Sequence, residues 1–402
     1  MLDKYDLKPG NAILAEEKHL PLYKARFWHW RLRRRAFARG LVLTRCAHRS
    51  WSTTSKWSTS PAVPLRMRSA WRSGCCRFLA QPRILCVALR ADRGVLRTFR
   101  ALPRESHLLT HVSCVPQGAV GNDEFATRME TVARGDGVTV NYVRADGAPT
   151  GKCAVLVVDG ERSLVASLGA AEHYKVRQRV APHTEAPCAH SRCLPACGRQ
   201  MEHVDANWAV VEAARFYYIS SFFMTHSAAV IQRVAEHSAA NQKCFAMNLA
   251  APFIMQVPPF KAALSAVMPY IDLLVGNESE AAAFAASETW PASLTVSQIA
   301  ARISALPKAS GHRGRVVVIT QGAEPTVVAA DGSVALHPII PLAKEQLVDT
   351  NGAGDAFVGG LLSQLVTGKS LAEACRAGNY AAHTIIQRSG CTFPAVPEFT
   401  WA

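Results

Sequence analysis

From Gly118 onward, short runs of β-branched or aromatic residues alternate with longer stretches in which apolar positions recur at helical spacing. Tyr217-Tyr218-Ile219, Phe245-Ala246-Met247-Asn248, Leu273-Leu274-Val275, Val316-Val317-Val318-Ile319 and Gln346-Leu347-Val348 read as buried strands, and Ala228 to Asn241, Glu278 to Ala286 and Val296 to Leu306 as helices. That order predicts an α/β fold: a mostly parallel sheet flanked by helices on both faces, binding ligands at the carboxyl ends of its strands.

A different pattern covers Val138 to Leu168. There Val140-Asn141-Tyr142-Val143, Lys152 to Val158 and Ser163 to Leu168 read as strands without helices between them, and Asp146-Gly147 and Asp159-Gly160 supply turns. This pattern predicts a small antiparallel β lid on the sheet domain.

The 402 residues are nearly half apolar, enough for a sizeable core. No run of about 18 uncharged apolar residues occurs, and Met1 to Asp6 lacks the basic-then-apolar opening of a secretory signal. A cytoplasmic protein with reduced thiols, and no membrane partner, is the expectation. The twelve cysteines are irregularly spaced in a chain far longer than disulfide-dependent modules.

The formal charge of +15 is unevenly placed. Lys24 to Arg104 holds twenty lysines and arginines and one acid, Asp92, a net of +19 that leaves −4 for the rest of the chain. Five of the eight tryptophans (Trp28, Trp30, Trp51, Trp57, Trp71) and four cysteines (Cys46, Cys75, Cys76, Cys86) share that stretch. It is chemically foreign to the remainder. A basic, Trp-rich arm for nucleic acid is one reading of it.

The chemistry is concentrated in Asp349-Thr350-Asn351-Gly352-Ala353-Gly354-Asp355. A strand ends, a glycine turn follows, and a helix is predicted from near Asp355, with Phe357, Leu361, Leu362 and Leu365 on its apolar side. Backbone N–H groups of Gly352, Ala353 and Gly354 can converge on an anion there, and the helix start favours ionised Asp355, a candidate general base. Taken alone, the motif is equally a Gly-rich turn closed by an aspartate.

The longer run through Ala356-Phe357-Val358-Gly359-Gly360 resembles the C-terminal signature of the ribokinase-like (PfkB) carbohydrate and nucleoside kinases. The resemblance sharpens towards the adenosine kinases among them through Leu2 to Pro9, Arg162-Ser163-Leu164, Asn207-Trp208, Tyr218 to Phe223, Asn248 to Phe253 and Gly390-Cys391-Thr392-Phe393-Pro394. It implies a ribokinase-like fold in a monomer, ATP as donor, adenosine as acceptor, Mg²⁺ with the nucleotide, and no nucleic-acid partner. It also implies site residues: Asp355 and Arg162 catalytic; Asn351, Leu164, Ala166, Leu168 and Phe223 against the nucleoside; Thr320 and Gly322 on the nucleotide. Asn277 and Glu280 would hold Mg²⁺ through water and phosphate. Read as residues alone, Glu280 is a solvated helix position, Thr320 to Gly322 a plain turn, Arg162 an exposed side chain, and Phe223 and the apolar trio core.

Residues 1–23 and 169–402 are expected to form the large domain, 118–168 the end of a helix/strand unit plus the lid, and 180–200 an insertion. That insertion crowds His183, Cys188, His190, Cys193 and Cys197, but Cys-x4-Cys-x3-Cys fits no strong zinc template. Two pieces of the resembled family are missing: an early strand of the type Gly-Asn-Pro-Leu-Leu-Asp, just after which this chain starts, and a Gly-Gly-x-x-x-Asn substrate loop expected between Tyr23 and Gly118. The genetic code locates the loop. If each codon of a second frame joins the third base of the preceding codon to the first two of the next, Trp57 to Cys76 can encode VEYIAGGATQNAIRVAQWML, glycine pair and asparagine included. Residues 24–117 therefore read as an aberrant, frame-shifted or mis-spliced translation. A chain so altered is expected to have little or no activity, and a catalytically dead nucleotide-binding protein is the alternative of another class. Another nucleoside or sugar kinase is the alternative within enzymes.

Overall fold

The computed structural model describes residues 113–136, 138–158, 161–174, 203–309, 311, 313–394 and 398–399, and the backbone of two further strands, Ala12–Leu14 and Leu85–Arg90. In chain order the strands are β1 (Ala12–Leu14), β2 (Leu85–Arg90), β3 (Ser113–Gly121), β4 (Asn141–Ala145), β5 (Lys152–Val158) and β6 (Glu161–Ser167). They continue with β7 (Phe216–Ser220), β8 (Cys244–Asn248), β9 (Leu273–Asn277), β10 (Val316–Gln321), β11 (Glu324–Ala330) and β12 (Ser333–His337). The main helices are α1 (Glu124–Gly135), α2 (Trp208–Ala213), α3 (Met224–Ala240), α4 (Pro258–Val267), α5 (Glu278–Ser287), α6 (Val296–Ser304), α7 (Ala353–Leu365) and α8 (Leu371–Ile386).

Among the described residues, nine strands form one sheet in the order β12-β11-β10-β9-β8-β7-β2-β3-β4, and three form another in the order β1-β6-β5. β7 to β10 are parallel, joined by helical crossovers; β2, β11 and β12 add antiparallel pairings. The period-2 alternation of each parallel strand serves both faces. Tyr218, Ala246, Val275 and Val318 meet Phe357, Val358, Leu361 and Leu362 of α7. Tyr217, Phe245, Met247, Leu274 and Ile319 face a second core with Val230 and Val234 of α3, Leu264 of α4 and Ile299 and Ile303 of α6.

Three expectations are revised. Gln346-Leu347-Val348 is not a strand: Lys344–Gln346 forms a 3-10 turn, and Leu347 and Val348 stand exposed while the Val348 N–H donates to the Ile386 carbonyl. An apolar run this short can be read either way, and its neighbours already close the sheet at β12. Val140-Asn141-Tyr142-Val143 belongs to β4, which pairs in parallel with β3 on the large sheet instead of joining the lid. The lid is the antiparallel pair β5–β6, and β1, expected with the large domain, pairs in parallel with β6. The Leu2 to Pro9 run, the Val180 to Gln200 insertion, and residues 24–84 and 91–112 of the basic segment lie outside the described residues.

Among the described residues Cys153, Cys244, Cys375 and Cys391 stand outside any disulfide. Among the described residues no helix is long and apolar enough to cross a membrane.

A junction between lid and sheet centres on Asp123. Asp123 caps α1 and receives the Ala126 N–H at 3.0 Å, the Thr150 N–H at 2.8 Å and the Thr150 hydroxyl at 2.5 Å. The Gly121 N–H donates to Thr150 Oγ1 at 3.0 Å. A Cβ on Gly121 would lie 2.3 Å from the Ala148 carbonyl oxygen, so only glycine lets the chain pass here.

Candidate active site

The carboxyl ends of the parallel strands form a polar row. Register pairs Ser220 with Asn248 and Asn277 with Thr320. Asn248 holds the chain that leaves β7: its Oδ1 accepts the Ser221 N–H at 3.2 Å, and its carbonyl accepts the Ser221 hydroxyl. Just beyond it Ala250 sits at φ 64°, a left-handed conformation that a non-glycine residue adopts only under local constraint. No sequence reading gave Asn248 a role; the signal available was a polar residue closing an apolar strand.

Asn277 ends β9 and caps α5. Its Oδ1 accepts the Glu280 N–H at 2.8 Å and the Ser279 hydroxyl at 2.7 Å. In return Glu280 Oε2 accepts the Asn277 N–H and Oε1 the Asn277 side-chain amide, both at 3.0 Å. The spacing Asn-x-x-Glu is therefore a capping box, with the carboxylate folded back over the strand end and buried. It is not a solvated helix position. Thr320 on the adjacent strand sends its hydroxyl towards the Gly276 carbonyl at 3.4 Å, and Gly322 turns at φ 58°.

The Asp349 to Asp355 run forms the turn into α7. Helices α1, α5, α6 and α8 begin on a side chain that accepts from their first-turn amides: Asp123, Asn277, Thr295 and Ser370. α7 begins on Gly352, at φ 79°, with no side-chain cap. The Ala353 N–H donates to the Thr350 carbonyl at 3.2 Å and the Ala356 N–H to the Gly352 carbonyl at 2.8 Å. Of the glycines expected in the anion hole, Gly352 is buried and Gly354 exposed, and no acceptor meets either amide among the described residues. Asp355 lies half-buried in the first turn, where the helix dipole favours a carboxylate. Asn351 is half-buried two residues before that turn and donates its N–H to Asp349 Oδ1 at 2.8 Å.

Phe223 is 3 % exposed. Its ring meets Tyr174 edge-on at 5.7 Å and His226 at 4.4 Å. Ala166 is buried on β6 and Leu168 half-buried just after it. Arg162 and Leu164 lie on the same strand, opposite Val157 and Val155 of β5. No cluster of three or more His, Cys, Asp or Glu side chains is poised for direct metal coordination among the described residues.

The profile of the pfkB family of carbohydrate kinases matches residues 113–198 and 193–398. The chain belongs to that family. As a pfkB kinase it is an ATP-dependent phosphotransferase, and its ribokinase-like architecture is the one expected from the strand and helix pattern. The chain is 40 % identical over 398 residues to adenosine kinase 1 of Arabidopsis thaliana, covering 99 % of this chain and 92 % of that protein. It is 32 % identical over 395 residues to the adenosine kinase of Dictyostelium discoideum. Among solved structures, the Anopheles gambiae adenosine kinase in complex with P1,P4-di(adenosine-5) tetraphosphate aligns with a TM-score of 0.66 and 34 % identity over 98 % of this chain and 92 % of that one. The family match begins at Ser113, beyond most of the basic segment.

Proposed function

We propose that this kinase transfers the γ-phosphoryl group of ATP to the ribose 5′ hydroxyl of adenosine, giving AMP and ADP. The observation that carries the proposal is the uncapped start of α7: two glycine amides open to an anion, one turn from a carboxylate. In the reaction Asp355 accepts the proton of the attacking hydroxyl, and the Gly352 to Gly354 backbone stabilises charge on the phosphate oxygens. Arg162, on β6 of the lid, serves the transferred group, since a planar cation suits phosphate. Asn351, Leu164, Ala166, Leu168 and Phe223 hold the nucleoside, and Thr320 and Gly322 contact the nucleotide. Closure of the β5–β6 lid excludes water.

Asn277 and Glu280 fit a hydrated Mg²⁺. Glu280 accepts from Asn277 with both oxygens and keeps a negative charge at the strand end, where a carboxylate suits a metal-bound water. Mg²⁺ screens the phosphates when bound with ATP. A monomer working in the cytoplasm completes the reading.

Residues 24–117 are assigned to a frame-shifted or mis-spliced translation. Two features of the segment's end support this. Pro116 of β3 faces Cys86 of β2, where proline has no N–H to give the ladder, one residue before the pairing with β4 begins at Gln117. Gln117 is fully buried, and its Nε2 has no partner among the described residues. The same features favour a second reading, a chain that binds nucleotide without turnover.

Two preparations test both: this polypeptide, and one with the second frame restored over residues 57–76. AMP formation from adenosine by the restored chain, with little or none by this one, is expected. Faster turnover of inosine or ribose than of adenosine would replace the substrate assignment. ATP binding without AMP in either preparation would leave the nucleotide-binding reading.

A further inference from the structure

The anion-binding turn lacks a cap of its own, yet it is not loose. Asp349 Oδ1 accepts the Asn351 N–H at 2.8 Å, an Asx turn that sets the entry to Gly352. Asp349 Oδ2 accepts the Gly390 N–H at 3.0 Å, reaching a turn 41 residues further along the chain. Two more contacts tie the same stretch to the end of α8 and to that C-terminal turn. The Asp349 N–H donates to the Ile386 carbonyl at 3.1 Å, and the Cys391 thiol points to the Asn351 carbonyl at 3.8 Å. Gly390 takes φ 69°, a conformation that suits glycine and turns its N–H towards the carboxylate.

We propose that Asp349 is a positioning residue: its carboxylate clips the anion-binding turn to the Gly390–Cys391 turn and thereby sets the affinity for ATP. The reasoning is geometric. Gly352 and Gly354 are flexible in isolation, and amides aimed at a phosphate stabilise it only if their direction is fixed before it arrives. Asp349 fixes that direction from both sides, one oxygen to the turn and the other to a separate part of the fold that α8 anchors. The inference rests on the kinase reading, because it takes the anion to be the phosphate of ATP.

The test uses the full chain and two substitutions. Asp349→Ala removes both acceptors; Asp349→Asn keeps the shape and one acceptor. ATP titration calorimetry, at a temperature well below each variant's melting point, is expected to show affinity about thirtyfold weaker for Asp349→Ala and about fivefold weaker for Asp349→Asn. Hydrogen exchange is expected to accelerate at the Asn351 and Gly390 amides in Asp349→Ala, and at one of them in Asp349→Asn. Unchanged ATP affinity in both folded variants overturns the role, whatever happens to stability. Unchanged exchange at both amides overturns the clip itself. If the parent chain binds no ATP, the kinase reading falls and this inference with it; normal parent binding with unaltered variants sinks the Asp349 role alone.

Discussion

Glu280 and Asn277 are bound reciprocally: both oxygens of a carboxylate that is 7 % exposed accept from Asn277, whose own Oδ1 accepts the Glu280 N–H. The pair thus has two duties, holding the junction of β9 and α5 and presenting a negative charge there. Glu280→Ala is expected to lower stability by about 1–3 kcal/mol, since two donors lose their acceptor in a buried place. In the frame-restored enzyme the Mg²⁺ concentration for half-maximal rate is expected to rise as well. Thermal melts with a Mg²⁺ titration of rate separate the duties; a stability loss with an unmoved Mg²⁺ dependence would reduce Glu280 to a cap.

Asp355 sits in the first turn of α7, which begins on Gly352 with no side-chain cap. Asp355→Asn keeps the side-chain volume and removes the proton acceptor. In the frame-restored enzyme kcat is expected to fall by about 10²–10⁴ while ATP affinity by calorimetry changes little. A parallel loss of ATP binding would mean that the residue binds instead of acting as base.

α7 is held in place by an unusually close approach to α8. A Cβ on Gly360 would lie 2.5 Å from the Ala377 carbonyl oxygen, and one on Gly378 2.9 Å from the Phe357 ring. Gly360→Ala is therefore expected to push the helices apart at a cost of about 1–3 kcal/mol, despite the better helix propensity of alanine. Urea denaturation measures it. A stabilised variant would show that the helices can slide at no cost.

The lid junction supplies the pH dependence. Burial pushes the Asp123 carboxyl up, but the Thr150 hydroxyl, the Thr150 and Ala126 N–H groups and the charge of Lys152 outweigh it and hold the pKa below the ordinary 3.8. A carboxylate with a lowered folded-state pKa binds fewer protons folded than unfolded in that window. Its stabilisation is thus present above about pH 4 and lost as pH falls through the folded value. The urea midpoint of the parent is expected to drop more steeply below pH 4 than that of Asp123→Asn. Parallel acid limbs would remove Asp123 from the acid response.

The parallel strands were legible because each is a short continuous apolar run and β7, β8 and β9 are each followed by a helix, so Tyr217, Phe245, Leu274 and Val317 announced both sheet and core. The open turn at Gly352 was legible through the longer run to Gly360 that resembles the family signature, because the glycine spacing alone is equally a plain turn. Asp349 was harder to read. Its partner Gly390 is 41 residues away, and no local pattern reports a bond across that separation. The membership of β4 was misread for a related reason: a strand's partner is a tertiary choice, and Asn141–Ala145 carries no residue that prefers lid to sheet.

The last prediction concerns the gene. Pro116 inside a paired strand, and a buried Gln117 whose Oε1 accepts from the Tyr174 hydroxyl while its Nε2 has no partner among the described residues, are local conflicts between sequence and fold, set in the first residues of the family match, close behind the basic segment. Random substitution would scatter such conflicts; a reading-frame error confines them to one stretch and leaves the chain after it consistent. Sequencing the transcript across residues 20–120 is expected to show the second frame between Trp57 and Cys76. Tryptic peptides of the cellular protein should then carry the glycine pair of the alternative string and none of the Trp51-to-Trp71 sequence. Recovery of peptides identical to the present chain would sink the frame assignment and return the basic segment to consideration as a folded part of the kinase.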